Sequence, residues 1–491
     1  MPTTKKSIVI GSGFAGLSAA AFLAQQGQEV TVLEKNQHIG GRARTFSAHG
    51  YQFDMGPSWY WMPDVFERFF QQFGHSVSDY YELKRLDPSY AVFFGKNDVM
   101  NIPASMDELC QLFEQYEKGS GQRLRNFLAE AEYKYQVGIN DLVYKPSRSL
   151  TEFMDFRLLT GMVKLHVFRS FSAHVRKFFK HPKLIQLMEF PVLFLGAMPQ
   201  ETPALYSLMN YADMQLGTWY PMGGMHKIVE AMASLAKSQG VHIETNACVN
   251  QIAVSNGAVQ GVHVNGQLRQ ADVVVGGADY HHIESQLLDA RYRNYSDSYW
   301  DSRVMAPSSL IFYLGVNKKI DGLLHHNLFF DEEFQQHAVE IYKDPKWPAK
   351  PLFYVCANSK TDPSAAPDGC ENVFILVPVA PNLKDNEETR ERYYNLVMDR
   401  LEKLTGQSIR PHVEYKRSYA HKDFLSDYNA FKGNAYGLAN TLRQTAILKP
   451  ALRNKKVNNL WYTGQLTVPG PGVPPSIISG QVVAGEIAKS F

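Results

Sequence analysis

The start of the chain predicts a strand, a helix and a second strand. Residues 8–10 and 30–33 are rich in β-branched side chains and indicate buried strands. Residues 17–26 between them are rich in alanine, which favours a helix. Two strands joined through one helix form a parallel βαβ unit.

The same two patterns return later in the chain. Helices are predicted at residues 226–238 and 476–486, and strands at 241–245, 249–254, 271–278 and 459–464. These segments are separated by two long stretches, so the αβ unit at the start is expected to be completed by distant parts of the chain.

Composition narrows the class of protein. The chain has 491 residues, 45% of them hydrophobic and 20% charged, which indicates a globular protein of roughly two or three domains. The formal net charge of +2 includes no extended basic block, so a nucleic-acid partner is not expected. The cysteines (Cys110, Cys248, Cys356 and Cys370) lie far apart, which disfavours a disulfide framework or a metal site and fits a reducing compartment.

A glycine-rich turn joins the first strand to the helix. It reads Gly11-Ser12-Gly13-Phe14-Ala15-Gly16. In a dinucleotide-binding turn the first glycine makes the bend, the second admits the pyrophosphate, and the third lets the helix pack on the strand. The helix start presents unpaired amides and a positive dipole to the phosphates. Glu34 ends the second strand, where a carboxylate accepts hydrogen bonds from a ribose and disfavours a 2′-phosphate.

The residues after Glu34 favour FAD over NAD. Gly40-Gly41-Arg42 is a turn that in many FAD enzymes directs its arginine toward the pyrophosphate, and Gly56-Pro57-Ser58 matches a turn beside the flavin. The predicted FAD site comprises Gly11, Ser12, Gly13, Phe14, Ala15, Gly16, Glu34, Lys35, Gly41, Arg42, Gly56, Pro57, Ser58, Val249, Gly464, Gly472 and Val473. The sequence has no second Gly-x-Gly-x-x-Gly, which indicates that electrons leave FAD for a quinone, oxygen or a protein carrier.

The carboxyl-terminal segment also bears on the cofactor. Residues 469–475 are Pro-Gly-Pro-Gly-Val-Pro-Pro, and the helix that follows contains the small residues Gly480, Ala484 and Gly485. Small residues permit close contact with a ligand or with the first helix. The amides at the start of this helix are expected to face the flavin pyrimidine, where negative charge develops on reduction.

These segments predict the organisation of the whole chain. Residues 1–75, 219–290 and 431–491 form a discontinuous, Rossmann-like FAD-binding domain, and residues 76–218 and 291–430 are substrate-binding and helical insertions. The expected fold class is α/β for the FAD-binding domain and α+β overall.

The sequence contains no apolar run long enough to span a bilayer. In the first insertion Phe156, Leu159, Val163 and Val167 share a helix face, and the basic segment 176–183 follows. Two interpretations stay open: an amphipathic surface docked on anionic lipid heads, or a core helix with a solvated edge. A cytoplasmic location is expected, with or without peripheral contact at the cytoplasmic membrane.

Taken together, these motifs resemble the bacterial phytoene-desaturase-type carotenoid desaturases over essentially the whole chain. The resemblance rests on the glycine turn, Glu34, residues 40–42, 54–57, 219–224 and above all 469–474. It departs from the family pattern at Lys449-Pro450, where an arginine-proline pair is common, and at Gln465, where alanine is usual.

The resemblance implies an FAD-dependent desaturase acting on a long carotenoid, either phytoene-like or a hydroxylated monocyclic γ-carotene at its 3′,4′ position. It implies that Asp155 and Arg157 take part in proton transfer. Trp59, Tyr60 and Trp61 are expected to line a substrate tunnel, with core packing as the alternative. A polyene saturase or isomerase, a flavin amine oxidase and an FAD-binding scaffold without turnover are the competing functions.

Overall fold

The structure is a computed structural model that describes residues 4–149, 152 and 169–490. Its strands are β1 (Lys6–Ile10), β2 (Glu29–Leu33), β3 (Thr45–Ala48), β4 (Tyr51–Asp54), β5 (Leu83–Arg85), β6 (Tyr90–Gly95), β7 (Asp98–Ile102), β8 (Trp219–Pro221), β9 (His242–Glu244), β10 (Val249–Ser255), β11 (Ala258–Val264), β12 (Gln267–Gln270), β13 (Val273–Gly276), β14 (Ser308–Val316), β15 (His326–Phe329), β16 (Phe353–Cys356), β17 (Glu371–Val379), β18 (Val413–Tyr419) and β19 (Leu460–Tyr462). Its α-helices are α1 (Phe14–Gln25), α2 (Pro63–Gln71), α3 (Met106–Tyr116), α4 (Ser120–Val137), α5 (Phe171–Phe178), α6 (Pro182–Glu189), α7 (Leu208–Asn210), α8 (His226–Ser238), α9 (Tyr280–His282), α10 (Asp297–Asp301), α11 (Phe334–Tyr342), α12 (Glu387–Thr405), α13 (His421–Tyr428) and α14 (Val473–Ala488).

A parallel five-stranded sheet is assembled from distant parts of the chain. Its order is β19-β13-β1-β2-β9, and every neighbouring pair is parallel. The apolar residues of β1 and β13 are buried, as expected for strands covered on both faces. Helices α1, α8 and α14 pack together beside this sheet. The predicted βαβ unit and the predicted later strands are confirmed.

The terminal helix begins three residues before its predicted start. The sequence indicates a helix from Ser476, whereas α14 begins at Val473. The reason is that Pro474 and Pro475 occupy the first turn, where a proline loses no intrahelical hydrogen bond.

The described residues also form a mixed seven-stranded sheet. Its order is β18-β14-β17-β16-β15-β6-β7. Strands β6 and β7 come from the first predicted insertion and the other five from the second, and the two groups join through the parallel pair β6–β15. The two insertions therefore share one sheet and are not separate units.

Side chains on β14 alternate between two environments. Leu310, Phe312 and Leu314 pack in a cluster with residues of α12, whereas Ile311 and Tyr313 belong to the main core shared with the parallel sheet. This period of two is the geometry of a strand with both faces buried. It places Ser309 and Ile311 against the cavity described below.

Three smaller sheets complete the fold. Strands β10, β11 and β12 form an antiparallel sheet, β3 pairs with β4, and β5 pairs with β8. Across the described residues, no helix combines the length and the apolar character needed to cross a membrane.

Candidate FAD and substrate site

A large cavity opens where the strands of the parallel sheet end. It has a volume of about 470 Å³, within the usual range of ligand pockets. The residues just after β1, β2, β13 and β19 line it, which is the place where open α/β sheets bind ligands. All the predicted cofactor residues line this cavity except Ser12 and Gly16.

Two glycines of the glycine-rich turn have different roles. A Cβ built on Gly16 would lie 2.0 Å from the Gly11 carbonyl oxygen, so Gly16 is required for the helix to approach the strand. A Cβ built on Gly13 would meet no atom within 4 Å. Because the protein itself leaves this space open beside the cavity, the turn fits a ligand that approaches the backbone at Gly13.

Ser12 acts behind the cavity wall. Its side chain is fully buried, and its Oγ donates a 2.7 Å hydrogen bond to Glu34 Oε2. The Ser12 amide donates to the same oxygen at 3.0 Å, and the Asn36 amide donates to Oε1 at 2.9 Å. These three donors hold the Glu34 carboxylate at the cavity, where its remaining lone pairs are available to ribose hydroxyls.

Arg42 supplies positive charge to the same wall. Burial lowers the pKa of its guanidinium, and the nearby Asp279 carboxylate opposes that shift. Its Cζ lies 5.2 Å from the centre of the Tyr428 ring, in a cation–π arrangement. Its Nε has no hydrogen-bond partner among the described residues. A partly buried cation with an unused donor at a cavity fits a phosphate oxygen.

Asp279 and Tyr428 were not predicted as site residues. Asp279 follows β13, begins the short helix α9 and accepts a 3.2 Å bond from the His282 amide. Burial raises the pKa of its carboxyl to about 6, and Arg42 works against the rise. The position of Asp279 directly after a parallel strand could have indicated a site residue. Tyr428 lies on α13, and no feature of the sequence indicates that it reaches the site.

The carboxyl-terminal turn reaches the cavity as expected, with one refinement. Gly464, Gly472 and Val473 line the wall. Pro474 and Pro475 carry no N–H, and the Ser476 amide donates a 3.0 Å hydrogen bond to the Gly472 carbonyl oxygen. The first turn of α14 therefore offers the Val473 amide to a ligand instead of a full set of helix amides.

Of the three aromatic residues predicted to line a tunnel, the two tryptophans line the cavity and the tyrosine between them does not. Trp59 and Trp61 line the cavity, while Tyr60 is fully buried and stacks on Phe66 with ring centres 4.2 Å apart. The prediction is therefore wrong for Tyr60. Its backbone bridges to Trp219, and the extended chain turns alternate side chains to opposite sides.

The far part of the cavity is apolar. The wall there is formed by α11 and by strands of the seven-stranded sheet, and its apolar side chains are Phe330, Phe334, Ala338, Ile341, Leu352 and Phe353. The cavity thus joins a polar, glycine-rich end to an aromatic and aliphatic end. Such a shape suits a nucleotide cofactor whose reactive ring faces a long hydrocarbon.

Two predictions fall outside the part of the chain that the structure describes. Asp155 and Arg157 lie there, as does the amphipathic segment 156–167, so their roles stay predictions. In the adjoining basic segment Arg176 pairs with Glu189, and Lys183 pairs with Asp98. These pairs neutralise part of the positive charge that the sequence offers to a membrane.

The chain is similar to known proteins over almost its whole length. The family model described as flavin containing amine oxidoreductase matches residues 14–488. The chain is 43% identical over 484 residues to a carotenoid 3,4-desaturase of Haloarcula japonica, covering 98% of both chains. It is 31% identical to a zeta-carotene-forming phytoene desaturase of Myxococcus xanthus, covering 98% of this chain and 94% of that one. A solved oxidoreductase of Methanosarcina mazei shares the fold with a TM-score of 0.63 at 17% identity, covering 98% of this chain and 100% of that chain.

A nucleotide-binding sheet with this cavity defines a flavin-dependent oxidoreductase of the amine-oxidoreductase class, whose cofactor is FAD. Within that class the chain belongs to the carotenoid desaturase family. The predicted family and cofactor are confirmed.

Proposed function

We propose that this enzyme introduces a carbon–carbon double bond at the 3,4 position of a carotenoid, in carotenoid biosynthesis. The carotenoid 3,4-desaturase of Haloarcula japonica is 43% identical to this chain, against 31% for the phytoene desaturase of Myxococcus xanthus. We propose a hydroxylated monocyclic carotene as its preferred substrate.

The continuous cavity is the observation that carries this proposal. Glu34, held by Ser12, and Arg42 suit the ribose and pyrophosphate of FAD at one end. FAD bound there supplies a hydride acceptor for an allylic C–H bond. Trp59 and Trp61 line the cavity and follow the Gly56-Pro57-Ser58 turn in the chain. These rings orient a polyene and exclude water from the reacting carbons.

The test uses the FAD-loaded enzyme with carotenes in liposomes. The substrates are a hydroxylated monocyclic carotene saturated at the 3,4 bond and phytoene, each supplied without oxygen. We expect the first to bleach the flavin and to give a product with a red-shifted absorption, while phytoene reacts far more slowly. Chromatography of the products identifies the bond that has been formed.

Other outcomes would assign another function. A blue-shifted product formed by reduced enzyme would indicate a saturase, and a product of unchanged mass would indicate an isomerase. Preferential reaction of phytoene would indicate that the enzyme acts at an earlier step in the series of desaturations. A flavin that no carotene bleaches, but an amine does, would make the protein an amine oxidase.

We further propose that a quinone or oxygen reoxidises the flavin, because the sequence contains no second dinucleotide motif for a nicotinamide donor or acceptor. Mixing anaerobically reduced enzyme with a soluble quinone, or with air, measures both rates directly. If neither acceptor reoxidises the flavin at a rate at least equal to the turnover rate of the enzyme, a protein carrier is required.

We also propose that the protein is cytoplasmic and makes peripheral contact with the anionic surface of the cytoplasmic membrane. The substrate class is lipid-soluble, and Lys177 and Lys180 lie exposed on the basic segment. Sedimentation with anionic vesicles at low salt should carry the protein down, and neutral vesicles should not. Equal recovery in the supernatant with both vesicle types would exclude the contact.

A further inference from the structure

Two histidines and a cysteine meet in the interior of the seven-stranded sheet. His325 precedes β15, His326 begins it, and Cys356 ends the neighbouring strand β16. The antiparallel register pairs His326 directly with Cys356, which brings their side chains to the same face. Each of the three residues offers a ligand atom within 4.8 Å of the other two.

The histidines hold unused nitrogen atoms in a buried place. His325 is 4% exposed, His326 is 0% and Cys356 is 6%. Neither histidine Nε2 has a hydrogen-bond partner among the described residues. An unpaired buried nitrogen destabilises the folded state, and each of the two histidines has one. A metal ion that accepts a lone pair from each nitrogen would remove that destabilisation.

The other ring nitrogens are already positioned as metal-binding histidines require. His325 Nδ1 lies 2.8 Å from Thr361 Oγ1, and His326 Nδ1 lies 2.6 Å from the Tyr354 hydroxyl. A histidine that binds a metal through one nitrogen usually donates its other N–H to an oxygen. With Nδ1 protonated in both rings, both Nε2 lone pairs are available.

Room for a fourth ligand lies beside the cluster. A separate void of about 10 Å³ is lined by His325 and Cys356, and also by Asp54, Ser58 and Asn358. This volume is close to the least that holds one water molecule. The polar groups around it are suitable partners for such a water.

We propose that His325, His326 and Cys356 bind one divalent cation with the preferences of Zn²⁺, with a water in the adjoining void as the fourth ligand. Imidazole and thiolate are the ligands that Zn²⁺ favours, in a tetrahedral arrangement. On binding, the Cys356 thiol releases its proton to solvent and the sulfur bonds to the metal. Tetrahedral bonds to Zn²⁺ imply ligand separations of roughly 3.3–3.7 Å, so the three groups need to close by at most about 1.5 Å.

The site would act on the cavity through Trp59. The Trp59 ring stacks on His326 with centres 4.1 Å apart and planes 12° apart, and Trp59 lines the FAD and substrate cavity. A cation that fixes His326 therefore fixes the wall next to the Gly56-Pro57-Ser58 turn. The proposed role is positioning, and it does not depend on which carotenoid the enzyme uses.

The first test measures metal in the full-length, FAD-loaded protein. The protein is stripped with a chelator, titrated with Zn²⁺ against a competing dye, and assayed by elemental mass spectrometry. We expect about one Zn²⁺ per chain, retained through gel filtration. Replacement by Co²⁺ should give a sulfur-to-metal charge-transfer band together with the visible bands of a tetrahedral ion.

Variants locate the ion. Cys356→Ser should lower Zn²⁺ affinity by at least about 100-fold and abolish the charge-transfer band, because loss of a direct ligand exceeds the usual effect of an outer-sphere change. Cys110→Ser is the matched control, since Cys110 is a buried free thiol on α3, and it should bind as wild type does. Thr361→Val, which leaves all three ligands in place, should weaken binding about 10–100-fold.

Three results would overturn the proposal. The first is folded wild-type protein that takes up no Zn²⁺ at micromolar concentration. The second is uptake that Cys356→Ser leaves unchanged. The third is a Co²⁺ adduct whose spectrum lacks the sulfur band. None of these readouts uses turnover, so they are independent of the proposed substrate.

Discussion

Ser12 and Glu34 are joined twice: the Ser12 hydroxyl and the Ser12 amide both donate to Glu34 Oε2, at 2.7 and 3.0 Å. The contact ties the glycine turn after β1 to the carboxylate after β2. Ser12 is among the predicted FAD-site residues, but its side chain is fully buried and does not line the cavity. It orients the residue that faces the ribose.

Ser12→Ala should therefore weaken FAD binding without unfolding the protein. Glu34 keeps its two amide donors but loses the hydroxyl, and we expect a dissociation constant for FAD raised about tenfold. Quenching of FAD fluorescence on titration of the apoprotein measures this. Ser7→Ala removes an equally buried serine whose hydroxyl bonds to Gln28 instead, and it should leave FAD affinity unchanged.

Gly13→Ala should separate cofactor binding from folding. Its φ of −70° suits alanine, and a Cβ there meets no protein atom within 4 Å. We expect the free energy of unfolding of the apoprotein to stay the same or to rise by about 0.4–1 kcal/mol. FAD affinity should fall at least about tenfold, because the methyl group occupies the space left for the pyrophosphate.

Gly16→Ala provides the contrast for the same turn. Its Cβ would lie 2.0 Å from the Gly11 carbonyl oxygen, so apoprotein stability itself should drop by roughly 1–3 kcal/mol or more. Urea unfolding of both apoproteins distinguishes the two glycines. Equal stability of the two variants would contradict the packing role of Gly16, and unchanged FAD affinity in Gly13→Ala would contradict a ligand at Gly13.

Gly480 is the contact point between α1 and α14. A Cβ on Gly480 would lie 2.5 Å from the Ala15 carbonyl oxygen and 2.7 Å from the Ala19 amide. Gly480→Ala should force the helices apart and cost about 1–3 kcal/mol of stability. Gly485→Ala on the same helix meets nothing within 4 Å and should stabilise by roughly 0.5–1 kcal/mol. Thermal unfolding of both variants checks the difference in sign.

The pH dependence of stability should reveal Asp213. This carboxyl is 2% exposed and accepts bonds from the Tyr90 hydroxyl at 2.7 Å and the Thr218 hydroxyl at 3.2 Å. Burial nevertheless raises its pKa to about 7. Because the folded state holds this proton more tightly than the unfolded state does, the contribution of Asp213 to stability is greatest below about pH 4 and is lost as the pH rises toward 7.

Asp213→Asn should remove that component of the pH dependence. Relative to the variant, the wild type should lose about 2–3 kcal/mol of unfolding free energy between pH 5 and pH 8. Asp54 and Asp279 also have raised pKa values, of about 6, but they are common to both proteins and cancel in the difference. Urea unfolding across this range measures it, and parallel curves would contradict the assignment.

Local patterns predicted the nucleotide-binding half of the molecule well. The glycine turn, the strands around it and Glu34 lie within the first 34 residues, and their spacing is dictated by short-range geometry. The same holds for α8, whose predicted bounds of 226–238 match the structure. In such segments propensity, burial and turn chemistry all favour one conformation.

The pairings between distant strands could not be predicted from local sequence patterns. Nothing in residues 90–95 indicates that Ala91 lies opposite Asn327 in a parallel pair, since partner choice depends on tertiary packing. The meeting of His326 and Cys356 has the same origin, because the residues are on different strands. The run Trp59-Tyr60-Trp61 offered no polar residue from which to tell the cavity face from the core face.

The parallel sheet has a consequence for how the enzyme is made. Strand β1 ends at residue 10, but its sheet also needs β13, and the edge strand β19 and helix α14 come from residues 460–488. At about 5–20 residues per second, a ribosome takes roughly 20–90 s to pass from β1 to β19. The wall of the FAD cavity is therefore completed only after Gly464, Gly472 and Val473 have been synthesised, and a chain cut short near residue 460 lacks that wall.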